Sequence, residues 1–182
     1  MSRIAVVYKS NYGHTKRYAE WIAGDLQGDL FDLSAFSPDH IEHYDTVVFG
    51  GGLYASGILG HSFIVQEFQR LRKKNLILFT VGLAATEDQS IFAPILHKNF
   101  PDEVLNELEV FHLRGGIEYK ELGLKHKTMM AMLRTKVSRN KGERTDEEAL
   151  MLSTYGDKID FSDEKSIAPL TTYVKSLDFK DE

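Results

Sequence analysis

Cysteine is absent from the 182-residue chain. That single absence removes disulfides, thiolate metal centres, iron–sulfur clusters and cysteine nucleophiles together. Long hydrophobic runs are missing as well. The longest nearly apolar stretch, Leu76 to Ala85, is about half of the ~20 residues a membrane-spanning helix needs. The apolar run after Met1 breaks at Lys9, too early for a signal peptide and without its small-residue cleavage site, so a cytoplasmic location is expected. There is no basic excess. A net charge of −5 argues against whole-surface nucleic-acid binding. What remains, 42% apolar and 27% charged residues, is an ordinary soluble composition, long enough for one full core and short for two. With no linker, repeat or low-complexity tract, residues 1–182 are expected to form one domain.

Buried strands are the clearest positive signal. Ile4-Ala5-Val6-Val7-Tyr8, Thr46-Val47-Val48-Phe49 and Leu76-Ile77-Leu78-Phe79-Thr80-Val81 are continuous apolar runs, as strands covered on both faces require. Leu30–Leu33 and Glu109–Leu113 read as weaker strands, the latter stopped by Gly115-Gly116. Helical spacing covers Thr15–Leu26, Ser62–Lys73, Phe92–Phe100, Asp102–Leu108 and Ser166–Leu177, with Pro169 tolerable in a first turn. Alternating strands and helices predict an α/β fold, a doubly wound five-stranded parallel sheet of order 2-1-3-4-5 with helices on both faces.

Ligands of such sheets sit beyond the carboxyl ends of the strands, at the switch point between strands one and three. The loop there is Ser10-Asn11-Tyr12-Gly13-His14-Thr15. It has hydroxyl and amide side chains, one glycine, no carboxylate, and it runs into a helix N-terminus. Unpaired N–H groups and the helix dipole at such a place suit a phosphate. A plain capped turn, with Ser10 or Asn11 as cap, is the competing reading. Rival phosphate motifs are missing: three glycines for a dinucleotide fingerprint, Gly-Lys-Ser/Thr for a P-loop, and the acidic residues of a phosphoryl receiver. His40-x-x-His43 lacks an evident third metal ligand, and Trp21 reads as packing.

The pattern Ser10-x-Tyr12-Gly13-x-Thr15 resembles the flavodoxin phosphate loop, Tyr12 being the departure, and Tyr44–Gly50 resembles the third flavodoxin strand. Gly13-His14-Thr15-Lys16-Arg17, Tyr44-Asp45-x-Val47-Val48, Gln66-Glu67-Phe68 and Val81-x-Leu83 are similar to the menaquinone-dependent protoporphyrinogen IX dehydrogenase branch. The resemblance implies FMN as cofactor, held at its phosphate by residues 10–15. It also implies a ring site between Gly51, Gly52, Leu53, Tyr54 and Ala55 on one side and Val81, Gly82, Leu83 and Ala84 on the other. Tyr54 falls at the inner aromatic position, with a surface-folded Tyr54 as the alternative. The glycines of 50–52 are expected to let backbone N–H groups approach the ring. The second loop has no aromatic, so the outer ring face is expected to be open. Implied activities are an FMN-dependent oxidoreductase or electron carrier, protoporphyrinogen oxidation with a quinone acceptor, or a scaffold without flavin. No catalytic residue stands out. A redox partner protein, a quinone or a porphyrinogen are the expected partners.

Residues 118–163 form an insert between the fifth strand and the last helix. Residues 120–144 carry eight basic and two acidic residues, interleaved with Leu124, Met129, Met132, Leu133 and Val137. Such a segment packs its apolar stripe on the sheet, or docks on an anionic membrane face or an acidic partner; nucleic acid is not expected.

Overall fold

The computed structural model describes residues 3–54, 57–139 and 146–177. Its centre is five parallel strands, each built from the apolar runs above. They are β1 (Ile4–Lys9), β2 (Asp29–Asp32), β3 (Thr46–Tyr54), β5 (Asn75–Gly82) and β6 (Glu109–Arg114), joined by a two-residue β4 (Gly57–Ile58). The order is β2-β1-β3-β5-β6, with Val6 facing Leu30 on one side and Val48 on the other. Counting the long parallel strands along the chain, this is the doubly wound 2-1-3-4-5 order. The fold is α/β, with helices on both faces.

Strand alternation divides the core in two. Ile4, Val6 and Tyr8 face α1 (His14–Leu26) and α8 (Ala168–Leu177), where they meet Tyr18, Ile22, Leu170 and Val174. Ala5 and Val7 face the opposite layer. That layer is α2 (His61–Gln66), α3 (Phe68–Leu71), α4 (Ala93–Asn99) and α5 (Asp102–Leu105). Trp21 packs edge-on against Tyr18, as expected. His40 accepts a hydrogen bond from the Ser37 N–H at 3.0 Å and stacks on Phe31, so it closes a turn. Among the described residues no three His, Asp or Glu side chains cluster as a metal site, and no helix is long and apolar enough to cross a membrane.

Three local expectations need correction. The 62–73 helix is broken at Glu67 into α2 and α3. The third strand does not end at its glycines but runs through them to Tyr54, and β4 folds back antiparallel on it. Nor does Gly115-Gly116 stop the extended chain. Gly116–Glu118 forms β7, paired antiparallel with β8 (Lys158–Asp160) of the insert. Gly115 packs so closely that a Cβ would stand 2.7 Å from Val81 Cγ1, which favours glycine at this crossing.

The same crowding explains Gly50-Gly51-Gly52. A Cβ on Gly50 would lie 2.7 Å from Phe79 Cε1, and one on Gly51 would lie 2.6 Å from Ile58 Cγ2. Their smallness serves packing inside the sheet. Gly50→Ala is expected to lower stability by ~2–3 kcal/mol through overpacking. Adding Phe79→Leu should recover part of the loss, read from denaturant midpoints.

On the edge strand β6, His112 stacks on Phe92 with centroids 3.8 Å apart, and its Nδ1 lies 2.6 Å from Thr80 Oγ1. Burial pushes its pKa down to about 4. The unfolded chain, with an ordinary value of ~6.5, binds the extra proton first. Stability is therefore full above pH ~6.5 and falls as pH drops towards 4, by ~1–2 kcal/mol after allowing for partial solvation. Thermal melts across that range should show the slope, and His112→Leu should flatten it.

Candidate functional site

The carboxyl ends of β1, β3 and β5 open onto a cavity of about 320 Å³. The loop after β1 forms one end. Gly13 adopts φ 92° and caps α1, a left-handed conformation that disfavours any side chain. Ser10 Oγ accepts the Gly13 N–H at 3.0 Å, so Ser10 shapes the loop. The first intrahelical bond runs from the Arg17 N–H to the Gly13 carbonyl. The N–H groups of His14, Thr15 and Lys16 thus stand at the helix's positive end without an intrahelical acceptor. Asn11 is exposed, whereas Thr15 is buried.

Tyr54 and Leu53, at the end of β3, line the cavity, as do Val81, Gly82 and Leu83 at the end of β5. Gly52 is what lets Tyr54 lie back, since a Cβ there would meet the Tyr54 ring at 2.8 Å and Thr15 Oγ1 at 3.2 Å. Burial, with Tyr12 beside it, pushes the Tyr54 phenol up to about 12, so it stays neutral and apolar. Ser10, Asn11, Gly13, Gly51, Gly52 and Ala84 lie beside the cavity without lining it, and Ala55 falls outside the described residues.

The expectation of an open outer face is overturned. The insert helix α6 (Leu124–Arg139) lies across the cavity and contributes His126, Met129, Met130 and Leu133 to its lining. The apolar stripe read from sequence divides. Val137 is buried and Leu133 borders the cavity, whereas Leu124 and Met132 are 83% and 63% exposed. A second insert helix, α7 (Asp146–Ser153), packs on α6. Among the described residues no Lys, Arg, Asp or Glu lines the cavity.

Three side chains of the phosphate loop and the first turn of α1 tie them to the insert, and Tyr18 adds a contact further along α1 by accepting the Asp163 N–H at 3.0 Å. Arg17 Nη1 reaches Asp160 Oδ2 at 2.7 Å, and His14 Nδ1 lies 3.2 Å from Ser162 Oγ. Burial alone would raise the Asp160 carboxyl, but hydrogen bonds from Arg17 and Ser162 hold it well below the usual range. Burial likewise lowers His14, against the opposing pull of Asp160 and with Arg17 adding to the effect. His14 Nδ1 faces the insert, lying 3.6 Å from Asp160 Oδ1 as well. The third tie is Tyr12, whose hydroxyl accepts the Gly123 N–H at 3.2 Å and shares a hydrogen bond with His126 Nδ1 at 2.5 Å. The phenol that departs from the phosphate-loop pattern is thus explained.

A profile described as "Flavodoxin domain" matches residues 5–145. The chain belongs to the flavodoxin-domain family. An uncharacterised protein of Methanocaldococcus jannaschii is 29% identical to it over 100 residues, 54% of this chain and 63% of that protein. The chain therefore spans just under two thirds of the curated relative's length. Similar solved structures include oxidised Flavodoxin 2 from Bacillus cereus, at 17% identity over 62% of this chain and 84% of that one, TM-score 0.46. Another is a flavoprotein in complex with FMN from Lactobacillus acidophilus NCFM, at 13% identity over 63% and 93%, TM-score 0.42.

In this flavodoxin domain Gly115, Gly116 and the insert residues Ile117, Leu122, His126, Met129, Met130 and Leu133 line the cavity but escaped the sequence reading of the site. The only available signal was the Gly115-Gly116 pair directly after the last strand, which was read as a stop. Tyr12→Phe should remove both hydrogen bonds that anchor the start of α6, worth ~1–2 kcal/mol together. Amide exchange in the first turns of α6 should then rise about five- to thirtyfold by mass spectrometry, with α1 unchanged.

Proposed function

We propose that this flavodoxin domain binds FMN and works as an oxidoreductase or electron carrier. The observation that carries the reading is the junction of two chemistries at one switch point. A helix N-terminus bearing Gly13 and Thr15 adjoins a neutral cavity floored by the aromatic face of Tyr54. The residues fit the cofactor. The N–H groups of His14, Thr15 and Lys16 would take the phosphate, the Thr15 hydroxyl would add a donor, and Tyr54 would stack on the flavin ring. When bound, FMN supplies hydride and single-electron chemistry. The chain's part is to neutralise the phosphate without an arginine, to lay the ring flat and to keep water off it with the Met129–Met130 roof.

A finer reading is protoporphyrinogen IX oxidation with a quinone acceptor, supported by the motif resemblance above and by the apolar, uncharged roof. The basic outward side of α6, with Lys125, Lys136 and Arg139, supports docking on an anionic surface for either activity.

Purified protein incubated with FMN and then desalted should keep a flavin spectrum. Thr15→Val should weaken binding about tenfold or more, the value of a hydrogen bond to a charged group. A colourless wild-type protein would overturn the reading in favour of a flavin-free scaffold.

A further inference from the structure

We infer that His126, on the insert helix α6, is the outer stacking wall for the planar ligand whose inner wall is Tyr54. The assignment rests on the FMN reading above and adds a residue and a gate to that site.

A flat ring system in an apolar cavity needs a flat surface on each side to bury both faces. Tyr54 provides one. The loop after β5 offers Leu83, Ala84 and Ala85, none of them a ring. Among the described residues, the other rings bordering the cavity are Tyr12, His14 and His126. Tyr12 stands edge-on to Tyr54, at an interplanar angle of 61°. His14 is committed to the Asp160 and Ser162 side. His126 alone lies parallel to Tyr54, at 11°, with centroids 5.1 Å apart.

Two successive stacking contacts need ~7 Å, at ~3.5 Å each, so a ring cannot enter until the pair separates by roughly 2 Å. Tyr54 ends β3, beyond the pairing with β1 and β5, and is held there by its pairing with Gly57 of β4. The moving side is α6. Its first turn is held by the Tyr12 hydroxyl, through His126 Nδ1 and the Gly123 N–H. The imidazole therefore occupies the ligand's place on Tyr54, and Tyr12 is the latch that keeps it there. Loading the ring breaks the latch and carries His126 to the ring's outer face. Met129, an adaptable thioether on the same side of the helix, follows the shift.

Wall and latch separate by mutation. Tyr12→Phe and His126→Phe each remove the latch and keep a ring on α6, whereas His126→Ala removes both. In FMN titrations of the full chain, followed by flavin fluorescence, the two Phe variants should bind at least as tightly as the unaltered protein. His126→Ala should bind about three- to tenfold more weakly than Tyr12→Phe. Thermal melts check that all three fold, and the Phe rescue at 126 separates a ring requirement from a merely structural one. Equal affinity of His126→Ala and Tyr12→Phe overturns the wall. A Tyr12→Phe protein weaker than the unaltered one overturns the latch. An unaltered chain that takes up no FMN overturns the cofactor reading itself and this assignment with it, a result distinct from both.

Discussion

The parallel sheet has no polar face, and most of the structure answers that constraint. β1, β3 and β5 are apolar along their buried length apart from Thr46 and Thr80, so a helical layer must cover each side. With both faces sealed, only the strand ends remain open to a ligand. The close approach of Gly50 to Phe79 tightens this further. It brings the two central strands into register, and so sets Tyr54 and Val81 on opposite sides of the same opening.

Against that rigid opening, the insert is a separate unit with its own small core of Ile117, Tyr119, Leu122 and Met130. It is bound to the sheet at one margin, where β7 continues directly from β6. Three further attachments converge on the phosphate loop and the first turn of α1, through Tyr12, His14 and Arg17. The elements that would grip a phosphate and those that roof the ring are therefore mechanically coupled.

The sheet order was legible in the sequence because fully buried strands leave a composition that no other element shares. The phosphate loop was legible for a similar reason, since Gly13 and the helix start are local features. The packing role of the β3 glycines was not legible, because a strand glycine looks the same whether a ligand or a neighbouring Phe79 fills the missing side chain. His126 was invisible for a different reason. Its role depends on a contact with Tyr12, far away in the chain, and its own neighbourhood reads as a basic helix. Which face of α6 turns inward is decided by Ile117, Leu122 and the ribbon of β7 and β8, none of which the periodicity of 124–139 encodes.

The ties of the insert also bear on how the molecule assembles. Tyr12–His126 and Arg17–Asp160 join residues 114 and 143 apart in the chain, whereas β1 needs only its near neighbours β2 and β3 to begin the sheet. Loop-closure entropy places such distant contacts among the last to form. During folding the strand ends are then bare while the sheet already exists. On the cofactor reading proposed above, FMN present at synthesis would meet an unroofed site, and FMN added to the finished protein would meet one already covered by α6. Reconstitution by refolding with flavin and by soaking the native chain should therefore proceed at different speeds, for reasons of chain connectivity alone.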